Sequence, residues 1–264
     1  MLEFIKRYYP EWLNTYVQEK QSLEKKIEAL EKVRDAFSEK FWSEHDNCSS
    51  RDIINVDETG VYYDMPPSKI LAVRGGSSKV ANVHLHSARM TAVLAIRANG
   101  EKLPILFILK GAENGAIRHK ELTTYPQEHY YTTQQNAWVD SRVWREYLRD
   151  VVKPQVQGPS VLIVDNLDSH VSAESGAIVA GELFSELCPL PPNSTSVVQP
   201  LDVGVMGPLK KKLRAHWLVE ERVVGATAEQ KRRAMSLRTI KIWSELSEDT
   251  VRSSFVKALP VALV

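Results

Sequence analysis

Cysteine is nearly absent: Cys48 and Cys188 are the only two in 264 residues. They lie far apart and outside any Cys-x-x-Cys or Cys/His spacing, so neither a disulfide framework nor a zinc site organises the chain. Long apolar runs are missing too. No stretch approaches the roughly eighteen apolar residues that cross a bilayer, and the N-terminus, MLEFIKRYYPEWLNTY, lacks the apolar core of a signal peptide. The expectation is an intracellular, soluble protein with no membrane partner. Neither sign of charge dominates: 34 Lys and Arg meet 33 Asp and Glu, so the global balance says nothing about nucleic acid. There is no GxxxxGK[ST] loop, no GxGxxG after a strand, no GxSxG elbow and no HExxH. Nucleotide-binding, hydride-transfer, serine-hydrolase and zinc-protease chemistry therefore lack their mechanical parts, and no nucleotide cofactor is expected.

The length suits one sizeable α/β domain with an accessory helical element, and 43% hydrophobic residues with six Trp describe a folded chain. Charge is uneven along it. Between Pro208 and Lys241, ten basic residues (Lys210, Lys211, Lys212, Arg214, Arg222, Lys231, Arg232, Arg233, Arg238 and Lys241) meet three acidic ones. That stretch is either a phosphate-facing surface or an ordinary solvated helix face.

Residues 16–42 read as one long helix, because Leu23, Ile27, Leu30, Phe37 and Phe41 recur at steps of four and three, with Arg34 in the remaining slot. The seam covers under three heptads, which favours packing on its own domain over a coiled-coil homodimer. A polar segment, SEHDNCSSRD, follows as a linker. The period then becomes that of a sheet. IINVD with VYY, RMTAVLAIR and LPILFIL read as three strands, the last two joined by a turn at Ala98-Asn99-Gly100-Glu101. Helical spacing over Trp138 to Val152 stops at Pro154, SVLIV is a buried strand with a parallel neighbour, and LFSELCPL reads as a fifth. From about Val203 the chain turns helical. The expected architecture is α/β with a mixed five-stranded sheet flanked by helices and a long N-terminal helix. It divides into an N-terminal helical segment and linker (1–50), a sheet domain (51–220) and a basic helical segment (221–264).

Three aspartates sit where a regular element meets a loop. Asp57 closes a β run in IINVDETG, Asp165 closes the apolar strand in VLIVDNLDSH, and Asp202 lies at a loop-to-helix junction in VVQPLDVG. Carboxylates at the ends of adjacent central strands converge on one crevice. Such a cluster calls for hard, oxygen-seeking cations such as Mg²⁺ or Mn²⁺, and two ions of that kind catalyse in-line phosphodiester displacement. Taken one at a time, each Asp is more often a turn-former or a helix cap.

The stretches NVDETGVYYDM, RMTAVLAIRANGEKLPILFILKG, LIVDNLDSH and PPNSTSVVQPLDVGVMGPLKKKL, in that order and spacing over roughly Arg51 to Trp217, resemble DDE superfamily endonucleases of the pogo/Tigger/jerky group, relatives of centromere protein B. The resemblance implies an RNase H-like fold, metal-dependent DNA cleavage and strand transfer by a transposase core with two Mg²⁺ or Mn²⁺ ions, DNA as partner and a nuclear setting. It matches Asp57, Asp165 and Asp202 to the family's three carboxylates, the third being Asp rather than Glu. The alternative on the same scaffold is a domesticated, non-catalytic nuclear protein that binds DNA or other partners.

Other residues near the aspartates carry two readings each. Asn166 and His170 match family positions beside the second Asp, as hydrogen-bond partners or phosphate contacts. Gln199 either touches DNA or caps the following helix. Lys210, Lys211 and Lys212 follow Asp202 by two helical turns, beside the expected substrate backbone. Glu58 points to the other sheet face and reads as a hydrogen-bonding partner, not a ligand. Asp168 reads as a local turn-former. His84 and His86 alternate on one strand face without a third ligand nearby and read as surface residues.

Overall fold

The computed structural model describes residues 10–63, 89–220 and 225–261, with side chains of the first helix described from Glu24 onward. His84, His86 and Arg222 lie outside these residues. The centre is a mixed sheet of six strands: β1 (Ile53–Tyr62), β2 (Arg89–Arg97), β3 (Leu106–Lys110), β4 (Tyr130–Gln134), β5 (Val161–Val164) and β6 (Glu186–Pro189). Their order is β4-β3-β2-β1-β5-β6. β1, β2 and β3 pair antiparallel, whereas β5 runs parallel to β1, β6 to β5 and β4 to β3. Five of these strands follow the expected runs; β4, Tyr-Tyr-Thr-Thr-Gln, is additional.

The two faces of the sheet build two cores, as the period-2 alternation of a strand requires. On β1, Ile54 and Val56 face a core with Val143, Trp144, Tyr147 and Leu148. Among the helices are α1 (Pro10–Glu44), α2 (Ser141–Glu146, continuing as a π-helical segment over Tyr147–Val152), α3 (Asp168–Val171), α4 (Ala173–Glu182), α5 (Thr195–Val198), a π-helical turn (Leu201–Val205), α6 (Met206–Val219), α7 (Ala228–Ser244) and α8 (Glu248–Ala258). Val143, Trp144, Tyr147 and Leu148 come from α2 and its continuation. Ile53 and Val61 face the opposite core, which takes in Leu201 and Val205 of the π-helical turn, Leu209 and Leu213 of α6, Trp243 of α7 and Phe255 of α8.

The sequence reading of α1 is corrected in one respect. Phe41 is buried and Phe37 packs against the same core, and Ser38 Oγ and Trp42 Nε1 donate to the carbonyls of Pro260 and Leu259 at 2.6 and 3.2 Å. Ile27, however, is 47% exposed. The 35-residue helix is about 52 Å long, and among its described side chains those near the C-terminal end pack on the domain.

Candidate active site

β1 and β5 place the first two aspartates. The parallel register sets Asn55 opposite Ile163, and carried two residues on it sets Asp57 opposite Asp165, just past the end of β5. Asp57 shares a face with Asn55 and points toward the helical turn that carries Asp202. It is 9% exposed. Its Oδ1 accepts the Glu58 backbone N–H at 2.8 Å, and the Gln199 side chain also bonds to it. Burial pushes its pKa up to about 8; the Gln199 bond opposes this, and the nearby charges of Asp202 and Glu58 add to it.

Asp165 is held differently. His170 Nδ1 meets its Oδ1 at 2.6 Å, and the Leu167 backbone N–H donates to the same oxygen at 3.1 Å. Burial raises its pKa, but these bonds and the imidazole outweigh burial and hold it below the ordinary carboxylate value. With an ionised acceptor, the proton on His170 sits on Nδ1. His170 is 1% exposed, its ring lies 4.0 Å from that of Trp144, and its Nε2 is 3.9 Å from Glu58 Oε2. Glu58 therefore stands behind Asp165 on the opposite face from Asp57, and its pKa is raised by burial against the pull of His170.

Asp202 is the exposed member. It belongs to the π-helical turn Leu201–Val205, whose N-cap is Pro200 and which has no side-chain cap, so Asp202 does not cap this helix. Its pKa is raised by partial burial, with Lys210 opposing and Asp165 adding. The three carboxylates thus lie within electrostatic reach of one another: Asp202 acts on Asp57, and Asp165 on Asp202. They do not close into a coordination shell; among the described residues no three His, Cys, Asp or Glu side chains are grouped to hold one ion.

The surrounding candidates separate. Gln199 is 1% exposed and its side chain bonds to Asp57, and it does not cap the following helical turn. His170 is likewise interior. Asn166 is exposed, with its amide donating to the Leu190 carbonyl, and Asp168 is an exposed residue at the start of α3. Lys210 and Lys211 are exposed, whereas Lys212 reaches the Glu245 carbonyl at 3.3 Å. Farther along the basic stretch, Arg232 pairs with Glu121 and the buried Arg238 with Glu220, at 2.8 and 2.6 Å. Lys210, Lys211, Lys212, Arg214, Lys231, Arg233 and Lys241 are all exposed, with Lys241 Nζ 3.2 Å from His216 Nε2. Sequence reasoning missed Asn55, the one amide inside the apolar run that opens β1, where a buried polar group demands hydrogen-bond partners. It also missed Gln199 as a partner of Asp57.

Residues 87–255 match the family model described as DDE superfamily endonuclease; Asp165 and Asp202 fall within that range and Asp57 precedes it. The chain is 28% identical over 217 residues to Tigger transposable element-derived protein 4 of Mus musculus, covering 79% of this chain and 39% of that one. It is 27% identical over 182 residues to a Jerky protein homolog of Homo sapiens, covering 64% and 30%. It therefore spans well under half the length of these relatives. Among solved structures, the Mos1 strand transfer complex matches with a TM-score of 0.55 at 15% identity over 88% of this chain and 59% of that one. The Mos1 mariner paired-end complex with Mn matches with 0.54 at 15% over 88% and 60%. The fold is the RNase H-like one of these transposases, and with most of its length matched by the family model, the chain belongs to the DDE superfamily endonucleases.

Proposed function

We propose that the chain is the metal-dependent DNA-cleaving and strand-transfer core of a transposase, with Asp57, Asp165 and Asp202 as ligands of two Mg²⁺ or Mn²⁺ ions and residues 51–220 as the catalytic unit. The observation that supports this reading is that three carboxylates, from β1, the end of β5 and the π-helical turn, lie within electrostatic reach of one another, one of them buried. The donor set fits a hard divalent cation: all three donors are carboxylate oxygens, and Asp57 resists ionisation because burial, Asp202 and Glu58 all oppose its charge. When bound, the ions would supply the Lewis acidity that activates a water or 3′-hydroxyl and stabilises the leaving oxygen.

The chain's own residues do the positioning. The Gln199 amide orients Asp57, and His170 with the Leu167 N–H fixes the Asp165 carboxylate. Such partners hold a ligand's rotamer before the ion arrives. Lys210, beside Asp202, and the exposed Lys211 would meet the DNA backbone, with Asn166 near the same edge. The proposed action on DNA implies a nuclear setting.

A second reading, a non-catalytic DNA-binding protein on the same scaffold, draws on the engagement of Asp165 with His170 at 2.6 Å and on the 22% identity to ARS-binding protein 1 of Schizosaccharomyces pombe over 213 residues. Nicking of supercoiled plasmid separates the two. The catalytic reading predicts nicks in Mg²⁺ or Mn²⁺, none in EDTA and none from Asp202→Asn. Plasmid bound but uncut under every condition would establish the second reading.

A further inference from the structure

We infer that Asn55 is the positioning residue of the carboxylate site: a single buried amide that ties the strand of Asp57 to the strand end of Asp165 and to the turn of Asp202. This deepens the proposed function and rests on it.

Asn55 is fully buried. Its Nδ2 donates to the Ile163 carbonyl at 3.0 Å, and its Oδ1 accepts the Leu201 backbone N–H at 2.9 Å. Each contact lies next to a proposed ligand. Asn55 is two residues before Asp57 on the same face of β1, Ile163 is two residues before Asp165, and Leu201 immediately precedes Asp202. The bond to Leu201 also answers a need of the turn itself. The first N–H groups of a helix have no partner within it, Pro200 at the N-cap offers no side-chain cap, and Asn55 supplies the missing acceptor from the sheet.

Only a planar amide of this length provides a donor to β5 and an acceptor for the turn from one side chain. Leu has the shape without either group, and Asp would lose the donor. The turn is pinned from its other side as well, because Gly204 packs so closely on α8 that an added Cβ would lie 2.5 Å from Ser254 Cβ. With Gly204 against α8 and Leu201 on Asn55, the turn has little freedom to carry Asp202 away from Asp57.

The test is Mn²⁺ affinity, read from the free-ion electron paramagnetic resonance signal, alongside hydrogen exchange of the Leu201 amide and the thermal melt. Asn55→Leu is compared with Thr91→Val, which removes another buried bond to a backbone carbonyl, that of Thr91 Oγ1 to Ala137 at 2.6 Å. Should Asn55→Leu fail to fold, Asn55→Ala, which removes both groups without added bulk, serves in its place. The inference expects the Asn55 variant to bind Mn²⁺ roughly tenfold or more weakly and its Leu201 amide to exchange faster, while Thr91→Val lowers the melt but leaves both unchanged. A folded Asn55 variant with wild-type Mn²⁺ affinity, or with unchanged Leu201 exchange, overturns the inference and leaves the proposed function standing. A wild-type protein that takes up no Mn²⁺ overturns the proposed function, and the inference with it.

Discussion

Replacing Asp57 with Asn should stabilise the metal-free protein and do so more as the pH rises. The carboxyl is buried and its pKa is pushed from 3.8 to about 8. Between those values the unfolded chain releases a proton that the folded chain keeps, so the unfolding free energy falls as pH increases. One proton limits the slope to about 1.4 kcal/mol per pH unit, and a shift of about four units sets a ceiling of about 6 kcal/mol. The penalty is absent below about pH 4 and complete above about pH 8. Asn fills the same space and still accepts the Glu58 N–H now bound at 2.8 Å, so the variant should lack this slope. Urea unfolding in EDTA from pH 4 to 9 would show the two stabilities diverging by several kcal/mol toward the alkaline end. Mn²⁺ at one hundred times its Kd should narrow the gap by about 2.7 kcal/mol, because it stabilises only the protein that binds it. Parallel pH profiles for the two proteins would refute the idea that Asp57 holds an uncompensated buried carboxyl.

Changing Lys210 and Lys211 together to Gln should flatten the slope of log K against log salt for DNA binding by about one to two units, since each would release one phosphate's counterion; an unchanged slope would make them ordinary solvated residues. Gly204→Ala should cost about 1 to 3 kcal/mol through overpacking against Ser254. It should also reduce cleavage at temperatures where circular dichroism still reports a folded protein. Full activity in that variant would show that the turn bearing Asp202 need not sit where it does.

The strands were legible where their residues are β-branched and apolar. β1, β2, β3 and β5 follow runs rich in Ile, Val and Leu; Asp165 follows the end of β5 as expected, whereas Asp57 does not close its strand but lies buried inside β1, which runs on to Tyr62. β4 was missed although Tyr and Thr favour strands, because its five residues hold no apolar run and its place beside β3 is a tertiary pairing. The long helix was legible as a helix, but its period could not say that Ile27 stays exposed while Phe41 is buried. The summed charge of Pro208 to Lys241 overstated the surface, because ion pairing with Glu121 and Glu220 occupies Arg232 and Arg238. Side-chain direction was the least legible feature. Gln199 and His170 turn inward to hold Asp57 and Asp165, and that follows from packing around the two strands rather than from their neighbours in sequence.

The most direct measurement is a crystal structure of the protein soaked in Mn²⁺, with anomalous differences recorded at a wavelength where manganese scatters strongly. The account predicts two peaks about 3.5 to 4 Å apart, bounded by the carboxylates of Asp57, Asp165 and Asp202 and missing from Asp57→Asn crystals. Manganese bound only elsewhere, or the three carboxylates left without any peak at saturating metal, would contradict it.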